Sequence, residues 1–138
     1  MKSDDPYFLY PAELEMAWAY AYNKRKWGEA HADRYIEKMI QAIRDRQKSG
    51  DHQLYADSEK IFSRSRAADI VRESIYCFHF KEKPSQKRGY RIFYRKMSGK
   101  NIGVIAILQD GADFPERVRK NLESVVSEIR RDRRRDDR

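Results

Sequence analysis

Apolar residues set out the elements before any residue chemistry is considered. Residues 7–10, "YFLY", form a short aromatic run that reads as a first strand, and Pro11 stops it where a helix can begin. Through residues 12–26, Leu14, Trp18 and Ala21 recur at i, i+4 and i+7, which predicts a helix with these side chains on its apolar face. "KWGE" breaks the period, with Gly28 as a C-terminal cap. The period resumes through Ala32, Ile36, Met39 and Ile43 and ends near Ser49 and Gly50, completing a helical hairpin. Residues 51–69 show no sustained period and read as a long polar connection with room for a short helical turn.

Three strands follow, at residues 74–81 ("SIYCFHFK"), 89–96 ("GYRIFYRK") and 102–109 ("IGVIAILQ"). The first two alternate, whereas the third is almost continuously apolar, as a central strand covered on both faces should be. Gly99 and Asn101 suit a hairpin, and "EKPSQKR" makes a looser connection across Pro84, so an antiparallel meander is the simplest topology. Val118, Leu122, Val125 and Ile129 then recur at helical spacing, which predicts a C-terminal amphipathic helix. Residues 130–138 contain no apolar side chain and are expected to fray.

Alternation also assigns faces. If Tyr76, Phe78 and Phe80 pack on the helices with Tyr90, Ile92 and Tyr94, the other face carries Cys77, His79 and Lys81. Lys83 lies beyond them, and Arg91 and Arg95 on the next strand. Lys and Arg outnumber Asp and Glu by 30 to 22, a formal charge of +8, which favours acidic or polyanionic partners. Neighbouring cations repel unless an anion lies between them, so this face suits phosphate or an acidic peptide. It equally suits a solvated outer surface. His79 is the only histidine in a strand and has the chemistry of a general acid or base. Cys77 and His79 supply two metal ligands at most, with His31 and His52 far away in sequence, so no metal site is expected. Asp110 and Asp113 flank Gly111 just after the last strand, where catalytic or metal-binding groups are often placed, but "DGAD" is also ordinary turn chemistry and is read as a turn, with Asp113 capping the helix that begins near Pro115. Tyr20, Tyr22, Trp27 and Tyr35 exceed what one helix face buries; they either wedge between the two helices or form a partner surface.

The 138 residues fit one domain, residues 1–129, followed by the charged tail. Cys77 is the only cysteine, which excludes an internal disulfide and suits a reducing cytoplasm. "MKSDDPYFLY" lacks the apolar stretch of a signal peptide, and no run approaches the roughly 20 apolar residues of a membrane span, so no membrane partner is expected. No phosphate-binding glycine loop, Ser-His-Asp order or zinc signature is present in the sequence.

The order strand, helical hairpin, three-stranded meander and helix resembles the RelE/ParE superfamily of bacterial type II toxins, over residues 7 to about 125. "YPAELEMAWAYAYNKRKWGEAHADRYIEKMIQAI" resembles that family's first strand edge and hairpin, including the Trp-Gly between the helices. "GYRIFYRK" resembles its third strand, and "VIAILQDGADFPER" its last strand and the following turn. The resemblance implies an α+β toxin fold: a helical hairpin packed in two layers on a four-stranded, mostly antiparallel sheet, plus a C-terminal helix. It also implies a cognate antitoxin as partner, no cofactor, and one of two activities. RelE-like members cleave mRNA in the ribosomal A site, orienting the 2′-OH attack with basic residues on the sheet. ParE-like members poison DNA gyrase without a nuclease site. Carried over by position, Arg91 matches the strand arginine that contacts the scissile phosphate, and His79 and Lys81 match the basic residues of the second strand. Lys83, Lys87, Arg88 and Arg95 would extend that surface toward the target. Trp18, Tyr22, Val118 and Leu122 would meet the antitoxin. The chain departs from RelE-like nucleases after the last strand. It has "QDGADFPERV" where they supply an arginine and a terminal tyrosine or His-Tyr, and Gln109 where the family often has histidine. The ParE-like branch is therefore expected, with the mRNA endonuclease as alternative and a repurposed, non-toxic binding domain as a third class.

Overall fold

The computed structural model describes residues 5–63, 73–83 and 88–125. Its elements run β1 (Tyr7–Phe8), α1 (Tyr10–Trp27), α2 (Glu29–Ser49), α3 (Ser58–Ser63), β2 (Tyr76–Phe80), β3 (Tyr90–Lys96), β4 (Ile102–Gln109) and α4 (Phe114–Ser124). This is an α+β fold around a four-stranded mixed sheet of order β1-β4-β3-β2. β1 runs parallel to β4, and the other two pairings are antiparallel.

Pro11 stands in the first turn of α1, where a missing amide costs nothing. Gly28, at φ 92°, ends α1 and starts α2 with no intervening loop: its amide donates to the Lys24 carbonyl at 2.9 Å, and its carbonyl accepts from Ala32. α2 buries Ala32, Tyr35, Met39, Ile43 and Gln47 on one stripe, close to the predicted one, and stops at the left-handed Gly50. α1 does not follow its prediction. Its buried residues are Ala12, Glu15, Ala19 and Asn23, while Leu14 and Trp18 face solvent. The small alanines let the α1 backbone lie close to its neighbours. Glu15 is tolerated inside because it accepts from the Ile107 amide at 2.9 Å and from the Asn121 side chain at 3.1 and 3.2 Å.

The sheet carries a core on each face. On one, Tyr35, Met39 and Ile43 of the hairpin pack with Phe78, Ile92, Tyr94, Val104 and Ile107. On the other, Ile61 and Phe62 of α3 and Val118 and Leu122 of α4 pack with Phe93, Ile105, Ala106 and Leu108. The expected two-layer arrangement is therefore corrected to three layers. A bulge allows it. Phe93 pairs with Ala106 and Tyr94 with Val104, so Ile105 is the extra residue, and both Ile105 and Ala106 turn into the second core. That is why β4 reads as an unbroken apolar run.

The segment expected to be a long polar connection with room for a short helical turn holds one, α3, and its described residues, 51–63, are part of this construction. The Tyr55 amide donates to the Ile75 carbonyl at 2.8 Å and the Cys77 amide to the Gln53 carbonyl at 3.0 Å, so residues 53–55 extend the β2 edge before α3 closes over the second core. Ile129, the tail at residues 130–138 and Lys87 lie outside the described residues. Among the described residues, no helix is long and apolar enough to cross a membrane.

Candidate functional site

The end of β2, the start of β3 and the end of β4 meet at one end of the sheet, where its second core runs out. Register sets His79 directly opposite Arg91, and Arg91 opposite Leu108. Asp110, the first residue past β4, completes the cluster. Its Oδ2 accepts from His79 Nε2 at 2.8 Å and from the Gly89 amide at 3.0 Å, while Oδ1 lies 3.6 Å from Arg91 Nε. Burial alone would raise the Asp110 carboxyl. The Gly89 amide, the His79 hydrogen bond and charge, and the Arg91 charge outweigh it and hold the group below its ordinary value. An ionised carboxylate only accepts, so His79 Nε2 carries the proton toward it.

Gly89 is required by space. A Cβ there would meet the Phe80 carbonyl oxygen at 2.1 Å, so only glycine brings this amide to Asp110 while β3 stays against β2. Arg91 Nε makes no hydrogen bond, yet the Arg91 side chain is 42% exposed. Cys77 shares this face, but burial pushes its thiol up to about 11 against the opposing pull of Arg91, which leaves it a poor nucleophile at neutral pH.

Beside the cluster, α1 and the strand ends enclose a cleft of about 490 Å³ lined by Tyr22, Lys26, Trp27, Arg88, Tyr90 and Asp110 among others. Lys26 Nζ stands 5.4 and 5.3 Å from the ring centroids of Tyr22 and Trp27, a cation over two aromatic faces. His79 and Lys81 line a second recess of about 420 Å³ with Arg46 and Asp51.

The structure gathers His79 and Arg91, sets Lys81 and Arg88 around them, and leaves Lys83 exposed. Arg95 is corrected: it is buried, and its guanidinium is bound to the Glu73 carboxylate, so it offers no charge to a target. Val118 and Leu122 are corrected too, because both are core residues under α4 and present no surface to an antitoxin. Trp18 is exposed, and Tyr22 lines the cleft. Asp113 caps α4 as expected, accepting from the Glu116 amide at 3.3 Å. Asp110 is more than the turn residue it was read as. Its place just past the last strand is the one local signal, and its partners His79 and Gly89 reach it from distant parts of the chain; nothing local marks Gly89 or Lys26.

No protein-family model matches the chain, and no curated protein matches it in sequence. The geometry alone describes what the site can do. A carboxylate holds an imidazole in one tautomer beside a half-open guanidinium, which can bind an anion or pass a proton, but the carboxylate cancels one of the cationic charges.

Proposed function

We propose that this chain is a growth-inhibiting toxin of the RelE/ParE type that acts by binding an essential target, in the manner of ParE-like toxins on DNA gyrase. A cognate antitoxin would neutralise it in the bacterial cytoplasm. The class rests on the sequence resemblance, with which the mixed sheet under a helical hairpin is compatible. The choice of binder over nuclease rests on one observation: carboxylates answer the basic residues. Asp110 holds His79 and faces Arg91, and Glu73 holds Arg95. A phosphodiester approaching this face would meet a fixed negative charge where a ribonuclease needs spare positive charge for the phosphorane-like transition state.

Expression in a bacterial host, with and without the small gene product encoded beside it, tests the class; absence of growth arrest would favour the repurposed domain. The purified protein is then added to a gyrase supercoiling assay and to translating ribosomes. Lost supercoiling with intact mRNA is the expected result. Codon-positioned mRNA cuts that vanish in Arg91→Ala would overturn it in favour of the second reading, a ribosome-dependent endonuclease. That alternative draws on the 2.8 Å His79–Asp110 contact, which orients an imidazole as a general base would be oriented.

A further inference from the structure

α1 is built inside out. Its sheet-facing side is made of Ala12, Glu15, Ala19 and Asn23, while Tyr10 (64% exposed), Leu14 (37%) and Trp18 (61%) stand in solvent with the exposed Ala17 and Ala21 between them. At 3.6 residues per turn these five share one outer stripe. Among the described residues, Leu54 is the only exposed large apolar side chain that does not belong to β1 or α1. A continuous apolar stripe on one surface helix marks a contact face.

The charges on that face say what fits it. Glu13 near the N-terminal end and Lys24 near the C-terminal end are exposed, about three helical turns apart, and so lie on the same flank of the stripe. Trp18 sits near their midpoint. Among the described residues Glu13 has no ionic partner, and Lys24 reaches only the exposed Glu29, at 3.6 Å. We propose that the outer face of α1 pairs with the same face of a second copy of this chain, with the two helices antiparallel across a twofold axis near Trp18.

That operation maps each flank onto itself with its direction reversed, so Glu13 of each copy meets Lys24 of the other. Two ion pairs form at the rim while Leu14 and Trp18 close over the middle, Tyr10 covers each end, and Ala17 and Ala21 near the axis let the backbones approach. A parallel pairing would carry this flank of the two copies to opposite rims, so that neither Glu13 nor Lys24 would meet a partner of opposite charge. The helix has 18 residues, about 27 Å of contact length, which is less than a standard interface, so the association is concentration-dependent rather than obligate.

Analytical ultracentrifugation of the full chain over a range of concentrations tests this. The wild type should show a reversible monomer–dimer equilibrium, weakened about tenfold or more by Trp18→Ser. Glu13→Lys and Lys24→Glu should each sediment as monomers, because each places like charges in both rim contacts. An equimolar mixture of the two variants should recover the dimer, since each copy then supplies the charge the other lacks. All three positions are solvent-exposed, and circular dichroism melts confirm that the variants fold. A wild type that stays monomeric throughout, single-charge variants that still dimerise, or a mixture that fails to reassociate would each overturn the proposal.

Discussion

Asp110 and Glu15 are carboxylates with opposite electrostatic fates, and pH should separate them. The Asp110 carboxyl is depressed below its ordinary value near 3.8, so its contribution to stability is present above that value and is lost as pH falls through the depressed one. Asp110→Asn should cost about 1–2 kcal/mol at neutral pH by weakening the His79 and Gly89 contacts. Urea melts should show the gap between wild type and variant closing as pH falls through that depressed value, because below it both carry a neutral group. Glu15 is raised, chiefly by burial, against the Ile107 amide, Asn121 and Arg117, which favour its charge. A raised carboxyl stabilises the fold below its ordinary value and loses that contribution as pH rises through the folded value. Glu15→Gln keeps an acceptor for the Ile107 amide and should flatten this decline, so the ratio of variant to wild-type stability measured between pH 4 and pH 8 should grow with pH. Neither residue's role is legible locally. Glu15 sits in a helical pattern whose large apolar neighbours point outward, and the groups that make its burial tolerable come from β4 and α4.

At the level of elements, legibility follows how much of the burial is periodic. α2 is readable because its stripe of Ala32, Met39 and Ile43 is both the sequence period and the buried face. β4 is readable from its continuous apolar run, although the bulge at Ile105 that feeds the second core is not, since alternation assigns Ile105 and Ala106 to opposite faces. The sequence period of α1 points to the wrong face because its larger side chains, Leu14 and Trp18, stand outward, whereas close packing on the sheet selects small ones such as Ala12 and Ala19. The segment at residues 51–69 hid a core element because α3 contributes only two adjacent apolar residues, Ile61 and Phe62, too few to show a period. Those two residues nevertheless lie in the second core with Phe93 and Leu108. Phe62→Ala should therefore destabilise the chain by about 3–5 kcal/mol, the cost of a large cavity in a packed interior. Chemical denaturation reads this directly; a loss below 0.5 kcal/mol, typical of a surface loop, would return the segment to the connection it was first read as.

Across the whole molecule, a formal charge of +8 says less about the site than the pairing of individual cations does. The sequence indicates a basic sheet face, but the structure divides those cations into two kinds. Arg88 is exposed at the cleft and can meet a polyanion, whereas Arg95 is buried against Glu73 and serves the fold. The division could not be read in advance, because Glu73 belongs to the stretch leading into β2 and nothing in its neighbourhood points to Arg95. It makes a double dissociation. Arg88→Ala should lower the salt concentration at which the protein elutes from heparin and reduce the salt-dependence slope by about 1, with the melting temperature nearly unchanged. Arg95→Ala should leave heparin elution in place and lower stability by several kcal/mol (about 3–5), because the largely buried Glu73 carboxylate loses the Arg95 guanidinium. If Arg95→Ala instead weakened polyanion binding and spared the fold, the Glu73 contact would not hold the guanidinium. The basic face would then be as continuous as the alternation of β3 suggests, and a nuclease site would again be the better reading of this end of the sheet.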